Sequence, residues 1–281
     1  MTIGSIRSPR PRWRVIIPTI ILHLGVLLAF FPGNFSWSAV AVAVLLHCFT
    51  IGLGISFGFH RLASHRSLRV PKWLEYFLIL CGTLAGQGGV LGWVAFHRLH
   101  HRHTDQPNDP HDSTRGFWWS HISWLMHEVP RRQEINPIIR DIADDPFYLF
   151  CHKRYVELQL VLAVLLYALG GMPFVVWGIF VRLFIGFHST CFVNSACHMV
   201  GYRNYDVPDH STNCWWVALL TFGEGWHNNH HAYQSSAQMG VRWWEIDLTW
   251  QTIRFLQAIG LATHVRTFNA EKVAKVAKVD I

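Results

Sequence analysis

Histidine is the residue whose type and spacing carry chemistry in this chain. Nineteen histidines occur in 281 residues, and nine of them fall into four spaced groups. These are His60 and His65 in HRLASH, His97, His100 and His101 in HRLHH, His198 closing NSACH, and His227, His230 and His231 in HNNHH. Residues three and four apart share a helical face, so each triplet is expected to present three imidazoles to one side, and Asn194 pairs with His198. The five-residue step from His60 to His65 suits one face less well and marks a helix end. Imidazole suits iron, copper, zinc and nickel, whereas magnesium or calcium would want carboxylates. Nine nitrogens are too many for one ion. Two ions of four or five ligands each account for them, with Asn194 acting directly or through water. A zinc hydrolase uses three protein ligands and an open position. Two redox-active irons fit better, since oxygen activation draws on metal-centred electrons.

Other chemistry is thinly represented. His23, His47, His121, His127, His152, His188, His210 and His264 read as ordinary packing or interface residues, while His103 and His111 are candidates to stand behind the ligands. Cys48, Cys81, Cys151, Cys191, Cys197 and Cys214 contain no CxxC pair and read as buried free thiols. No Ser/His/Asp set, phosphate loop or carboxylate pair is convincingly placed, so no catalytic side chain is expected beyond the metal centre.

The elements that must position these groups are apolar. Hydrophobic residues make up 51% of the chain and charged residues 15%, against about 25% charged in soluble domains. Fourteen Trp and nineteen Phe are a load typical of membrane interfaces. The net charge of +7 does not indicate nucleic acid, because the basic residues flank apolar runs and form no separate arm. A crossing needs about 20 apolar residues, and four runs qualify: Val15–Phe31, Trp37–Gly58, Tyr155–Leu169 and Pro173–Val193. Short uncharged turns, Pro32–Ser36 and Gly170–Met172, join them in pairs. Arg7, Arg10, Arg12, Arg14, Arg61, Arg66, Lys153 and Arg154 mark the opposite ends, which places both termini and all four histidine groups in the cytoplasm. The first run is expected to be an anchor, not a cleaved leader, for lack of a small-residue cleavage site after Phe31. A fifth run, Trp73–Phe96, contains Gln87 and five glycines. Histidines flank it and must share one side, so it is expected to be a peripheral helix that does not cross. Glu271–Ile281 reads as a frayed tail, and residues 1–281 as one domain.

HRLASH, HRLHH, NSACH and HNNHH together resemble the histidine-box signature of membrane fatty-acid desaturases, in the stearoyl-type Δ9 branch. The similarity runs from about Phe59 to His231. It takes in Asp109-Pro110-His111, Gly116-Phe117, Ser120-His121, Trp124-Leu125, Gly201-Tyr202-Arg203, Tyr205-Asp206 and Gly223-Glu224-Gly225. The resemblance implies an all-α integral membrane fold, four transmembrane helices under a cytosolic helical cap. It implies two irons held by the nine histidines, with Asn194 reaching one through water, O2 as co-substrate and electrons from an external donor. It also implies an acyl chain bent at the metals in a tunnel whose matching residues are Gln87, Trp93 and Thr190. Where animal acyl-CoA enzymes carry polar residues that hold the CoA head, this chain has Gly88 and Ala95-Phe96. That departure favours a glycerolipid carrier over acyl-CoA, as in bacterial and cyanobacterial relatives, and a bacterial inner or thylakoid membrane. Without room for a fused cytochrome b5 domain, a separate donor is expected, ferredoxin or alternatively cytochrome b5. The nearest rival is a hydroxylase or ketolase with the same metals. Further off stand a haem protein using His23 and His47, a non-catalytic metal binder and a transporter.

Overall fold

The computed structural model describes residues 10–127 and 136–268. The expected tail Glu271–Ile281 and Arg7 lie outside them. Among the described residues the fold is all-helical, with only isolated β-bridges. Helix α1 (Trp13–Val26) tightens into one last turn, Leu27–Phe30. Ser36 caps α2 (Trp37–His47) by accepting the Ala39 N–H at 3.1 Å, as a β-region Ser before a helix does. Without a break α2 becomes a π-helical stretch, Cys48–Ser64. Helices α3 (Lys72–Thr83) and α4 (Val90–His103) follow, then short α5 (Phe117–His121) and α6 (Arg140–Ala143). Asp145 caps α7 (Pro146–Val175), which passes through Val176–Val181 into α8 (Arg182–Ser195). Three short elements close the chain: α9 (Trp215–Leu220), α10 (His227–Ala232) and α11 (Leu248–Ala258).

Among the described residues three stretches are long and apolar enough to cross a membrane: Trp13–Phe30, Trp37–Ser64 and Pro146–His198. Protein covers little of the first and of the most apolar part of the third. Only 6% of the first and 11% of an 18-residue window of the third is buried, and Leu160, Val164 and Leu169 are 62%, 68% and 77% exposed. Apolar faces that wide require a non-aqueous surrounding. The third stretch spans 53 residues, which as one straight helix would be about 80 Å long, over twice the hydrocarbon thickness. It does not run straight. Gly170 and Gly171 leave helical geometry, and Gly171 has φ +66°, a value glycine adopts without a Cβ clash.

Three expectations are corrected. Trp73–Phe96 is not one helix: α3 and α4 are separated by a turn at Leu84–Gly89, where Gly86 and Gly88 have φ of +70° and +94°. Cys48 is exposed on its helix while the other five thiols are buried, and all six are free; a residue in an apolar run needs no protein cover if lipid supplies it. The step from His60 to His65 does mark a helix end, with His65 as the C-cap, but it suits one side better than α-helical periodicity allows, because the backbone there is π-helical. His65 N–H donates to His60 O at 3.1 Å, and in a π-helix residues five apart lie one above the other.

The interior has two main apolar clusters. One joins the second span to α3, α4 and α7 through Ile55, Phe59, Ile79, Val94 and Tyr148. The other packs α11 beneath the end of that span through Phe57, Leu62, Leu78 and Ile253. The histidine-bearing ends of the second span and α4 therefore rest on packed core.

Candidate metal centre

Two nests of imidazoles form where these ends meet. His60, His65, His97, His101 and His230 make one, and His100, His198, His227 and His231 the other; within each, the facing atoms all lie within 4.8 Å of one another. Nearest Nε2 separations in the first are 2.6 Å (His65–His97), 2.8 Å (His101–His230) and 3.1 Å (His60–His230). In the second they are 3.0 Å (His227–His231), 3.1 Å (His198–His227) and 3.4 Å (His100–His231). Imidazole nitrogens about 2.1 Å from a first-row cation, at right angles around it, would stand about 3.0 Å apart.

The three rings of each triplet do not stay together but divide between the two nests. At 3.6 residues per turn, i and i+4 are about 40° apart, whereas adjacent residues diverge by about 100°. His97 and His101 accordingly enter the five-membered nest and His100 the other. On α10 the i, i+4 pair His227 and His231 enters the four-membered nest and His230 crosses to its neighbour. Each helix thus stitches the two nests together.

Carboxylates back these imidazoles, and the spacing argument did not find them. His100 Nδ1 lies 2.8 Å from Asp109 Oδ2, His198 Nδ1 3.1 Å from Asp105 Oδ2, and His231 Nδ1 3.0 Å from Asp209 Oδ2. His60 Nδ1 contacts Glu224 Oε2, whose other oxygen accepts from Ser56 at 2.5 Å and from Arg61 at 3.1 Å. With Nδ1–H directed at a carboxylate, Nε2 keeps its lone pair for the nest. His100 and His231 then aim two lone pairs at each other across 3.4 Å, an arrangement that a cation between them relieves. Partners of this kind fix tautomer and ring orientation in metal sites.

Electrostatics agree with ligation. Burial, then the charge of neighbouring imidazoles, pushes His65, His97, His100, His101, His227 and His230 well below the usual imidazole range. They are neutral at physiological pH, as metal ligands must be. Burial alone would raise Asp105 and Asp209, but the hydrogen bonds from His198 and His231 hold both well below the usual carboxylate range. The donor set fits two first-row transition-metal cations.

Polar residues hold the boxes in place. Arg98 donates to the carbonyls of Ala63, Ser64 and Ile138 at 2.6–2.9 Å and makes a two-pronged pair with Asp141. It thereby fastens α4 to the end of the second span. Asn228 and Asn229, both fully buried, accept from Asn204 and Asn213 and reach Tyr205, Met239 and Glu245. Two amides between ligands in HNNHH were a visible signal of such a network.

A cavity of about 550 Å³ reaches the nests, within the usual range for ligand sites. His97, His111 and Asn194 line one part, and Leu22, Gln159 and Leu183 another. Gln87, Trp93 and Thr190 line it together and are bonded to one another. Gln87 Nε2 donates to Thr190 Oγ1 at 2.7 Å, and Trp93 Nε1 to Gln87 Oε1 at 3.2 Å. Trp93 also stacks on His97, with ring centroids 5.3 Å apart.

The remaining histidines lie elsewhere. His23, His188 and His121 form a chain with 3.0 Å links ending on Ser195. His47 Nε2 instead meets the Leu220 carbonyl at 3.1 Å, so His23 and His47 are engaged with different partners. His111 stacks against His100 with centroids 4.1 Å apart.

Residues 34–265 match the family model described as fatty acid desaturase. The chain is 56% identical over 266 residues to an sn-1 stearoyl-lipid 9-desaturase of Anabaena variabilis, covering 95% of this chain and 98% of that one. It is 58% identical over 256 residues to a protein of the same name from Synechocystis sp., covering 91% and 80%. An sn-2 palmitoyl-lipid 9-desaturase of Nostoc sp. is 47% identical over 262 residues, covering 92% and 91%.

Proposed function

The chain belongs to the fatty acid desaturase family, and from that membership we propose that it introduces a cis double bond at Δ9 of a saturated acyl chain carried on a membrane glycerolipid. The reaction takes CH2–CH2, O2, two electrons and two protons to CH=CH and two waters. We assign the five-histidine and four-histidine nests one iron each, with Asn194 reaching an ion through water. Bound there, the irons would supply the redox chemistry that an unactivated methylene demands and no side-chain base can provide.

The protein's own part is positional. Gln87, Thr190 and Trp93 form a bonded polar corner in the chamber, and an acyl chain passing it must bend beside His97. That corner selects the carbon pair held against the nests. The carboxylates behind His60, His100, His198 and His231 keep those four imidazole lone pairs aimed inward. The Gly170–Gly171 break divides the long apolar stretch into two crossings, giving four spans with both termini and the histidine cap on the cytoplasmic side of a bacterial inner or thylakoid membrane. Electrons arrive from a separate one-electron donor, ferredoxin, at that face.

The observation that carries this reading is the meeting of a five-plus-four set of imidazoles with a cavity cornered by Gln87, Trp93 and Thr190. Expression in a host with saturated membrane lipids tests it, with double bonds located by mass spectrometry. A Δ9 alkene on glycerolipid is expected. A hydroxylated or ketone-bearing lipid would instead establish the hydroxylase reading, and alkene confined to acyl-CoA would overturn the carrier.

A further inference from the structure

Arg182 is a fully buried guanidinium inside an apolar stretch long enough to cross a membrane, at 2% exposure. No Asp or Glu forms an ion pair with it among the described residues. It lies twelve residues before Asn194 on α8, about 18 Å along the helix, deep in the apolar zone. A charge there is costly and marks a role. Its donors are nevertheless met. Nε donates to Gly178 O at 2.7 Å, Nη1 to Leu84 O at 2.6 Å and Thr50 Oγ1 at 3.4 Å, and Nη2 to Gln159 Oε1 at 3.3 Å. Gln159 Nε2 donates to the same Leu84 carbonyl at 2.6 Å.

Leu84 opens the non-helical turn between α3 and α4. Irregular backbone at membrane depth survives only where protein satisfies its polar groups, and here two side chains converge on one carbonyl. Three residues later the same turn presents Gln87. Between them Gly86, at φ +70°, packs so closely that a Cβ would come within 2.8 Å of Leu183 Cδ2. On the far side a Cβ on Gly89 would meet His152 Nδ1 at 2.2 Å. The turn is held on both flanks, and Gln87 cannot slide along the chamber independently of Leu84. A planar fork that reaches three separate segments does this where a lysine ammonium would not.

We propose that Arg182 and Gln159 are positioning residues that set the depth of the Gln87 corner, and with it which carbon–carbon bond lies against the histidine nests. The inference rests on the acyl-chamber reading above. Arg182 does not line the chamber and acts through the Leu84 carbonyl; Gln159 shares that carbonyl and also lines the chamber.

The test is the double-bond position made by the full-length enzyme in host membranes, with bound iron measured on the same preparations. Arg182→Met and Gln159→Leu are expected to raise the share of minor positional isomers about tenfold while iron per chain stays at the unaltered level. A merely stabilising role would lower yield and leave the isomer ratio alone, so an unchanged ratio in iron-loaded variants overturns the proposal. If Arg182→Met does not accumulate, Arg182→Lys decides the matter, since Arg182 does not line the chamber and the change keeps the charge while losing the planar fork. Failure of the desaturase reading is distinguishable: the unaltered enzyme would then make no alkene.

Discussion

The two imidazole nests use the same donor atom and differ in what stands behind it. In the four-membered nest, His100, His198 and His231 each meet a carboxylate, and all four rings are buried. In the five-membered nest only His60 does so, through Glu224, and Arg61 answers that charge while also pairing with Asp247 at 3.0 Å. His65, His97 and His101 there are half-buried, and His97 faces the chamber beside Trp93. One position is backed by three carboxyl groups and closed. The other has one carboxylate, answered by Arg61, and opens on the chamber. Ligand type alone therefore does not describe a metal site; the charge one bond further out separates two sites that look alike in sequence.

The contrast can be broken most severely by removing a ring from either side. His100→Ala and His230→Ala are each expected to abolish desaturation and to cut bound iron to about one per chain or less. Full activity with two irons in either variant would undo the ligand assignment. The backing groups give a finer test. Asp105→Asn or Asp109→Asn is expected to weaken iron binding about 10- to 100-fold, measured by competition with a chelator. Glu224→Gln is expected to cost less, because its charge is already shared with Arg61 and Ser56. Equal losses on both sides would erase the asymmetry.

The smallest effect lies outside both nests, at Asp141. Burial alone would raise its pKa, but hydrogen bonds from Arg98 and Arg66 hold it down at about 2. Since that is below the unfolded value of about 3.9, the pairing contributes fully above about pH 4 and is lost as pH falls through about 2. Asp141→Asn is expected to lower stability by no more than about 1 kcal/mol, because the pair is partly solvated. Thermal melts at pH 7 should show that small shift, and the difference from the unaltered protein should shrink toward pH 2.

Much of the centre was legible in the residues. Nine histidines with helical spacing named the chemistry, and Gln87 stood out as an amide in an apolar run. The apolar stretches of membrane length were legible too, because hydropathy is a local property and a bilayer reads it residue by residue. Less visible were the backing carboxylates. Asp105 and Asp209 sit in irregular segments with no periodicity to flag them, and Asp109 and Glu224 appeared only as parts of flanking motifs. The HxxxxH step marked a helix end but not a shared side, because a π-helical backbone is a tertiary accommodation, not a propensity.

By itself the sequence determined the donor atoms, their grouping on helical faces and the apolar lengths that must lie in lipid. These follow from side-chain chemistry and from repeats of a few residues. Only the tertiary structure decided how the nine rings divide into five and four, which carboxylate meets which imidazole, and that an unpaired arginine clasps the turn carrying Gln87. Such choices depend on the crossing of helices far apart along the chain, where a rotation of one residue sends a ring to the other nest.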